Sequence, residues 1–132
     1  MKIDHIGIAV KSLAEASKVY EDALGLKVSG YDQVDEQGVR VAMLTIGESR
    51  IELLEPTGPE SPIEKFMTKR GEGIHHIAVT VDDIETTLAR LKAAGVRLVH
   101  DVPQRGAHNT RVAFIHPSST HGVLLELVQH GE

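Results

Sequence analysis

Lys2-Ile3-Asp4-His5-Ile6-Gly7-Ile8-Ala9-Val10 opens the chain, and a matching stretch returns as Gly73-Ile74-His75-His76-Ile77-Ala78-Val79-Thr80-Val81. In both copies a segment with helical periodicity follows the apolar run, and three strand-like runs come after it. His5 in the first copy is therefore equivalent to His76 in the second. The repeat predicts two βαβββ modules in one chain.

The signals that begin and end the predicted helices also occur twice. Ser12 and Glu15 form a capping box that begins a helix at about Leu13, and Gly25 ends it. The equivalent signals in the second module are Asp82 or Asp83 as the cap and Gly95 as the stop. The strands are predicted at 2–10, 26–34, 39–46 and 49–55 in the first module, and at 73–81, 96–100, 110–116 and 122–129 in the second.

A proline-rich segment separates the two modules. Proline lacks the N–H that a central strand needs, so Pro56-Thr57-Gly58-Pro59-Glu60-Ser61-Pro62 is predicted as a linker. Ser61 as N-cap and Pro62 as the first helical residue predict a short helix after it. We therefore expect one domain, 1–132, with module one at about 1–56, the linker and short helix at about 57–71, and module two at about 72–132.

The composition limits the classes of function. The chain has 132 residues, of which 41% are hydrophobic and 25% are charged, as in an ordinary globular domain. Its net charge of −5 argues against a nucleic-acid partner. The chain contains no cysteine, so any metal must be held by nitrogen and oxygen ligands. No apolar run approaches the roughly 20 residues of a membrane span, and we expect a cytoplasmic protein.

Two histidines and two glutamates occupy equivalent places in the modules. Because side chains alternate along a strand, His5 and His76 are expected to face away from the helices, beside small residues. Glu52 and Glu126 each lie in an apolar strand, where a carboxylate must be exposed, paired or metal-bound. Ordinary sheet histidines and solvated glutamates are the alternatives. The symmetric placement favours a metal site formed by all four residues.

Several segments of this chain match a known pattern of motifs. They are Ile3-Asp4-His5-Ile6-Gly7-Ile8-Ala9, Glu36-Gln37-Gly38-Val39, Gly71-Glu72-Gly73-Ile74-His75-His76-Ile77-Ala78, Val81-Asp82-Asp83-Ile84, His116-Pro117, His121-Gly122-Val123-Leu124 and Glu126-Leu127. With these segments the chain resembles the vicinal oxygen chelate superfamily over essentially its whole length, and within it the methylmalonyl-CoA epimerase family. The resemblance implies an α+β fold, in which two tandem βαβββ modules form a cupped mixed sheet around a metal site.

The resemblance also implies a reaction. It is the metal-dependent epimerisation of (R)- and (S)-methylmalonyl-CoA, by proton abstraction alpha to the thioester through a metal-stabilised enolate. One divalent metal ion would be held by His5, Glu52, His76 and Glu126, with Co²⁺ favoured over Mn²⁺, Ni²⁺ or Zn²⁺. The substrate is a small acyl-CoA, and we expect a homodimer without a nucleic-acid or membrane partner.

The identity of the two proton-transfer groups follows from the same resemblance only in part. Glu126 matches a family carboxylate that both binds the metal and is proposed as a base. Some epimerases have a second glutamate at the position of Val41, which this chain lacks. Glu52 is therefore the second candidate for a catalytic base, and a bound water is the alternative.

Local positive charge is needed because the substrate carries phosphates and a carboxylate. Arg105 and Arg111 flank the polar stretch 103–109, which is predicted as a mobile substrate loop. Both are candidates for substrate binding, with a solvated surface charge as the alternative for each.

Other functions are compatible with the same modules. A glyoxalase I-like lactoylglutathione lyase would use the same ligand pattern and also pass through an enolate. A metal-free, ligand-binding resistance-type module is disfavoured because all four ligand positions are filled. An extradiol dioxygenase normally needs only two histidines and one glutamate around iron, so Glu52 would crowd its open face.

Overall fold

The computed structural model describes residues 1–131, which form two compact units. The first unit is His5–His75, and the second consists of Met1–Asp4 together with the chain from His76 onward. Each unit contains one βαβββ module, as the repeat predicts. No helix among these residues is long and apolar enough to cross a membrane.

The first unit contains a four-stranded sheet with the order β2-β3-β4-β1, in which β1 and β4 are parallel and the other neighbours are antiparallel. Its elements are β1 (Ile3–Ala9, which begins in the second unit), α1 (Leu13–Ser17), a π-helical segment (Lys18–Ala23), β2 (Lys27–Val34), a 3-10 turn (Asp35–Gln37), β3 (Val39–Ile46), β4 (Ser49–Pro56) and α2 (Pro62–Arg70).

The first helix begins where its cap predicts. The Ser12 side chain accepts a hydrogen bond from the Glu15 amide, and α1 begins at Leu13. The prediction of one regular helix up to Gly25 is wrong, because the chain continues from Lys18 as a π-helix. One side of this helix packs against the apolar face of the sheet, in a cluster of Ile8, Val10, Leu13, Ala16, Tyr20, Ala42, Leu44 and Leu53.

The second unit also has a four-stranded sheet, with the order β5-β8-β7-β6 and a parallel β5–β8 pair. Its elements are β5 (Gly73–Thr80, which begins in the first unit), α3 (Ile84–Ala93), β6 (Gln104–Arg105), β7 (Thr110–Ile115) and β8 (Leu125–His130). Asp83 caps α3, and its hydrogen bond from the Thr86 amide lowers the pKa of this carboxyl. The face under α3 is a core of Val81, Ile84, Leu88, Ala113, Ile115 and Leu127.

The strand predicted at 96–100 is wrong. Only an isolated bridge between Leu98 and Ile115 forms there, and the second strand of this module is the two-residue β6. Val96 and Leu98 pack against the core of the second unit. Their apolar, alternating pattern therefore reflects burial, and no continuous ladder of strand hydrogen bonds forms there. Part of the stretch predicted as a loop at 103–109 is consequently strand.

The helix after the linker begins at the predicted residue. Ser61 caps it by accepting a hydrogen bond from the Ile63 amide, and Pro62 is its first residue. Ile63 and Met67 are buried, and the helix ends at Gly71, which has a φ of +76°. A left-handed φ at this position favours glycine.

Candidate metal centre

A histidine and a glutamate contact each other on neighbouring strands of the first unit. His5 is on β1 and Glu52 is on the parallel strand β4, opposite Gly7. His5 Nδ1 lies 3.3 Å from Glu52 Oε2, and both residues are about 95% buried, with relative exposures of 4% and 5%. The pair is shielded from water, and ionic contacts in the protein interior are stronger than those at the surface.

Arg50 belongs to the same group of side chains. It lies two residues before Glu52 on β4 and is the register partner of His5 on β1. Its Nη2 atom is 3.2 Å from Glu52 Oε2, the oxygen that also faces His5. The sequence analysis missed Arg50, although its spacing from Glu52 predicts that both side chains share one face of the strand.

The second unit repeats this arrangement with His76 and Glu126. His76 on β5 and Glu126 on the parallel strand β8 are both 5% exposed, and His76 Nε2 lies 3.0 Å from Glu126 Oε1. The Phe114 ring on β7 packs edge-on against the His76 ring, with centroids 5.4 Å apart. Phe114 is the register partner of Glu126, so an aromatic ring borders the pair.

The two pairs hold equivalent positions in their modules. In the first unit the residue two after the histidine, Gly7, is opposite Glu52. In the second unit the residue two after the histidine, Ala78, is opposite Glu126. Both partners are small residues, so neither places a large side chain beside its glutamate.

The chemistry of these donors suits a divalent cation. Each unit offers a buried imidazole nitrogen and a buried carboxylate oxygen, and the chain has no thiol to compete for the metal. Buried carboxylates are costly unless a counter-charge balances them, and a divalent metal would supply it. These buried histidine and glutamate residues therefore fit a divalent metal site.

Comparison with known proteins agrees with this geometry. Residues 4–114 match the model of the glyoxalase/bleomycin resistance protein/dioxygenase superfamily. The ethylmalonyl-CoA/methylmalonyl-CoA epimerase of Cereibacter sphaeroides is 40% identical over 130 residues, which is 97% of either chain. Human mitochondrial methylmalonyl-CoA epimerase is 38% identical over 129 residues, which is 97% of this chain and 73% of the human one.

A solved structure gives the same result for the fold. A variant of Streptomyces coelicolor methylmalonyl-CoA epimerase, in complex with 2-nitronate-propionyl-CoA, superposes with a TM-score of 0.95 at 42% identity, covering 99% of this chain and 95% of that one. This chain belongs to the methylmalonyl-CoA epimerase family. The predicted α+β fold of two βαβββ modules is therefore confirmed.

Val41 stands at the position where some members of the epimerase family have a second glutamate. Val41 lies on β3 opposite Leu54, two residues before Met43, which is opposite Glu52. It thus shares the face of Glu52 and is 2% exposed. The second carboxylate that some epimerases have here is replaced by a buried methyl-bearing side chain.

The two arginines predicted to bind substrate both lie away from the His76–Glu126 face. Arg105 on β6 and Arg111 on β7 are register partners, so their side chains leave the same side of the sheet. Phe114, three residues after Arg111 in β7, leaves the opposite side, where it contacts His76. The guanidinium of Arg111 donates to the carboxylate of Glu85 on α3. This contact disfavours the predicted role of Arg111 in this epimerase-family protein.

His100 is a partly buried histidine beside Phe114. Its ring lies 5.8 Å from the Phe114 ring, and its Nδ1 atom accepts a hydrogen bond from the Phe114 amide. Burial lowers the pKa of His100, although the charge of Glu126 opposes the shift. His100 thus contacts the same Phe114 ring that packs against His76.

Proposed function

We propose that this protein interconverts (R)- and (S)-methylmalonyl-CoA with one divalent metal ion held by His5, Glu52, His76 and Glu126. The observation that carries the proposal is the pair of buried histidine–glutamate contacts at equivalent register positions of two modules. The full-length similarity to proteins named as epimerases of this substrate supports the choice of reaction.

The reaction needs a group that stabilises the negative charge that forms on the substrate. Removal of the proton between the thioester and the carboxylate leaves an enolate, and a bound divalent metal would supply the positive charge that stabilises it. The ligand residues are buried on strands, so their side chains would change position little between proton removal and return.

Glu126 is proposed as one of the two groups that move the proton. Inversion needs proton removal on one side of the carbon and proton return on the other. His76 Nε2 lies 3.0 Å from Oε1 of Glu126, so the carboxylate that we propose accepts the proton lies beside a proposed metal ligand. Glu52 is the second candidate, but its Oε2 atom is engaged by Arg50 and His5, which leaves it less available to accept a proton. A bound water is the alternative second donor.

Arg105 lies on the α3 side of the sheet, away from His76 and Glu126, so only phosphates at the far end of the long CoA moiety are proposed to contact it, with Arg111 as the weaker candidate. Arg105→Ala is expected to raise KM for the acyl-CoA about threefold to tenfold with kcat unchanged, because it removes one exposed phosphate contact. Arg111→Ala is expected to leave KM unchanged and to lower the melting temperature slightly, because it removes the contact with Glu85. Steady-state kinetics and thermal melts of both variants check this difference. An unchanged KM in Arg105→Ala would remove Arg105 from the site.

We also propose that Co²⁺ is the preferred metal, that the protein is a homodimer, and that it acts in the cytoplasm. The nitrogen and oxygen ligand set supports cobalt, although it also suits Mn²⁺, Ni²⁺ and Zn²⁺. The homodimer is supported by the β2 edge of the first unit, where Tyr31 is 62% exposed and a second copy of the chain could cover it.

The reaction is tested by incubating the cobalt-loaded protein with (S)-methylmalonyl-CoA and separating the isomers at intervals. The proposal predicts conversion to an equal mixture of (R) and (S) forms. A parallel assay with the hemithioacetal of methylglyoxal and glutathione tests the lyase alternative. Lactoylglutathione formation without epimerisation would replace the proposed function.

A further inference from the structure

Arg50 is a partly buried cation beside a proposed metal ligand, and the proposed mechanism leaves it without a role. Its side chain is 23% exposed, and Nη2 lies 3.2 Å from Glu52 Oε2. The same oxygen lies 3.3 Å from His5 Nδ1. Arg50 and Glu52 therefore meet on the ligand face of β4, inside one unit and next to the histidine on β1.

The charge balance of the ligand set gives Arg50 a function. Two carboxylates and two neutral imidazoles carry two negative charges, which cancel the charge of a divalent cation. A neutralised metal is a weaker electrophile toward a developing enolate. A guanidinium is always protonated in proteins, so Arg50 returns one positive charge to this shell.

We propose that Arg50 is a positioning residue that acts through Glu52, by offsetting the charge of this carboxylate in the ligand set. This inference rests on the proposed metal-dependent function, because it assigns Glu52 as a ligand of that site. Before metal binds, the guanidinium reduces the cost of burying the Glu52 carboxylate. After metal binds, it keeps a net positive charge in the shell. Arg50 acts through Glu52 and is not itself a catalytic residue.

The partner of Arg50 is tested by a double-substitution cycle in the metal-free protein. Arg50→Met is expected to lower the melting temperature by roughly 5 to 10 °C, because a buried carboxylate loses its counter-charge. In a Glu52→Gln background, the same substitution is expected to lower it by less than about 2 °C, because the buried amide carries no charge. Equal losses in both backgrounds would overturn the inference.

The role of the charge is tested by titrating Co²⁺ into each variant calorimetrically. Arg50→Met is expected to bind Co²⁺ about tenfold more tightly than wild type, because a repelling unit charge has been removed from the shell. Arg50→Lys keeps the charge and is expected to bind within about threefold of wild type. A purely structural arginine would weaken stability and metal binding together, and weaker binding in Arg50→Met would sink the proposal.

These readouts separate the inference from the proposed function. The thermal cycle uses metal-free protein and the titration uses Co²⁺ alone, so neither needs methylmalonyl-CoA. If wild type fails to epimerise but the cycle and titration behave as expected, the function is wrong and the pairing stands. If wild type epimerises but the substitutions are additive, the role of Arg50 is wrong and the function stands.

Discussion

Replacement of His76 by alanine is expected to abolish stoichiometric metal binding and to lower the rate of α-proton exchange by about a thousandfold or more. The change removes one proposed metal ligand and the contact 3.0 Å from Glu126 Oε1. A metal site that loses a nitrogen ligand binds its ion much more weakly, and the remaining buried carboxylate loses its partner. Metal content by elemental analysis and exchange by NMR measure both effects.

A matched histidine substitution controls for general damage. His121 is exposed, lies outside the strands and has a φ of +60°, a conformation that asparagine tolerates. His121→Asn is therefore expected to keep full metal content and exchange. If His76→Ala retained wild-type metal content while remaining folded, the proposed ligand set would be wrong.

Glu126→Gln is expected to produce the second large effect. The substitution keeps the size of the side chain but removes the carboxylate that we propose accepts the proton. General-base catalysis contributes about 10² to 10⁴ in rate, so we expect exchange to fall by about a thousandfold. An amide oxygen can still bind a metal, so saturating Co²⁺ is expected to load the variant.

Retained metal binding together with lost exchange would show that Glu126 acts as a base and not only as a metal ligand. Glu55→Gln is the control, because Glu55 contacts Arg40 and the Leu13 amide. It lies three residues after Glu52 on β4, so its side chain leaves the opposite face of the sheet. It is expected to change neither metal binding nor exchange. Exchange in metal-loaded Glu126→Gln within about threefold of wild type would contradict the role of Glu126 as a base.

The repeat and strand alternation were enough to predict the two modules and both histidine–glutamate pairs. Each pair follows from local rules, since a strand fixes which residues share a face and a parallel neighbour brings the glutamate beside the histidine. The capping boxes predicted where α1 and α2 begin for a similar reason: the hydrogen-bonding group and its target lie within a few residues of each other.

Features that depend on distant packing were not predicted. Val96 and Leu98 read as a strand, but their apolar side chains pack on the core without a continuous ladder. The π-helical segment Lys18–Ala23 has no propensity signal that separates it from an α-helix. In both cases tertiary contacts decide between local conformations that the sequence allows.

The sequence also did not predict where the arginine side chains lie. The sequence predicts Arg105 and Arg111 as substrate contacts because one lies in a polar stretch and the other follows it, yet their register places them on the face of the sheet that carries α3. Arg50 was overlooked because it lies in an apolar strand. Applying strand alternation to every charged residue in β4 would have found it, since it is two residues from Glu52.

The most direct test of the proposed reaction is α-deuterium incorporation into methylmalonyl-CoA in D₂O, followed by NMR with cobalt-loaded protein and with the same protein after chelation. Metal-dependent epimerisation predicts rapid exchange with loss of stereochemical purity for the loaded protein, and exchange at the level of His76→Ala after chelation. Exchange that persists undiminished in the chelated protein, or none above the His76→Ala background in the loaded protein, would contradict metal-dependent epimerisation.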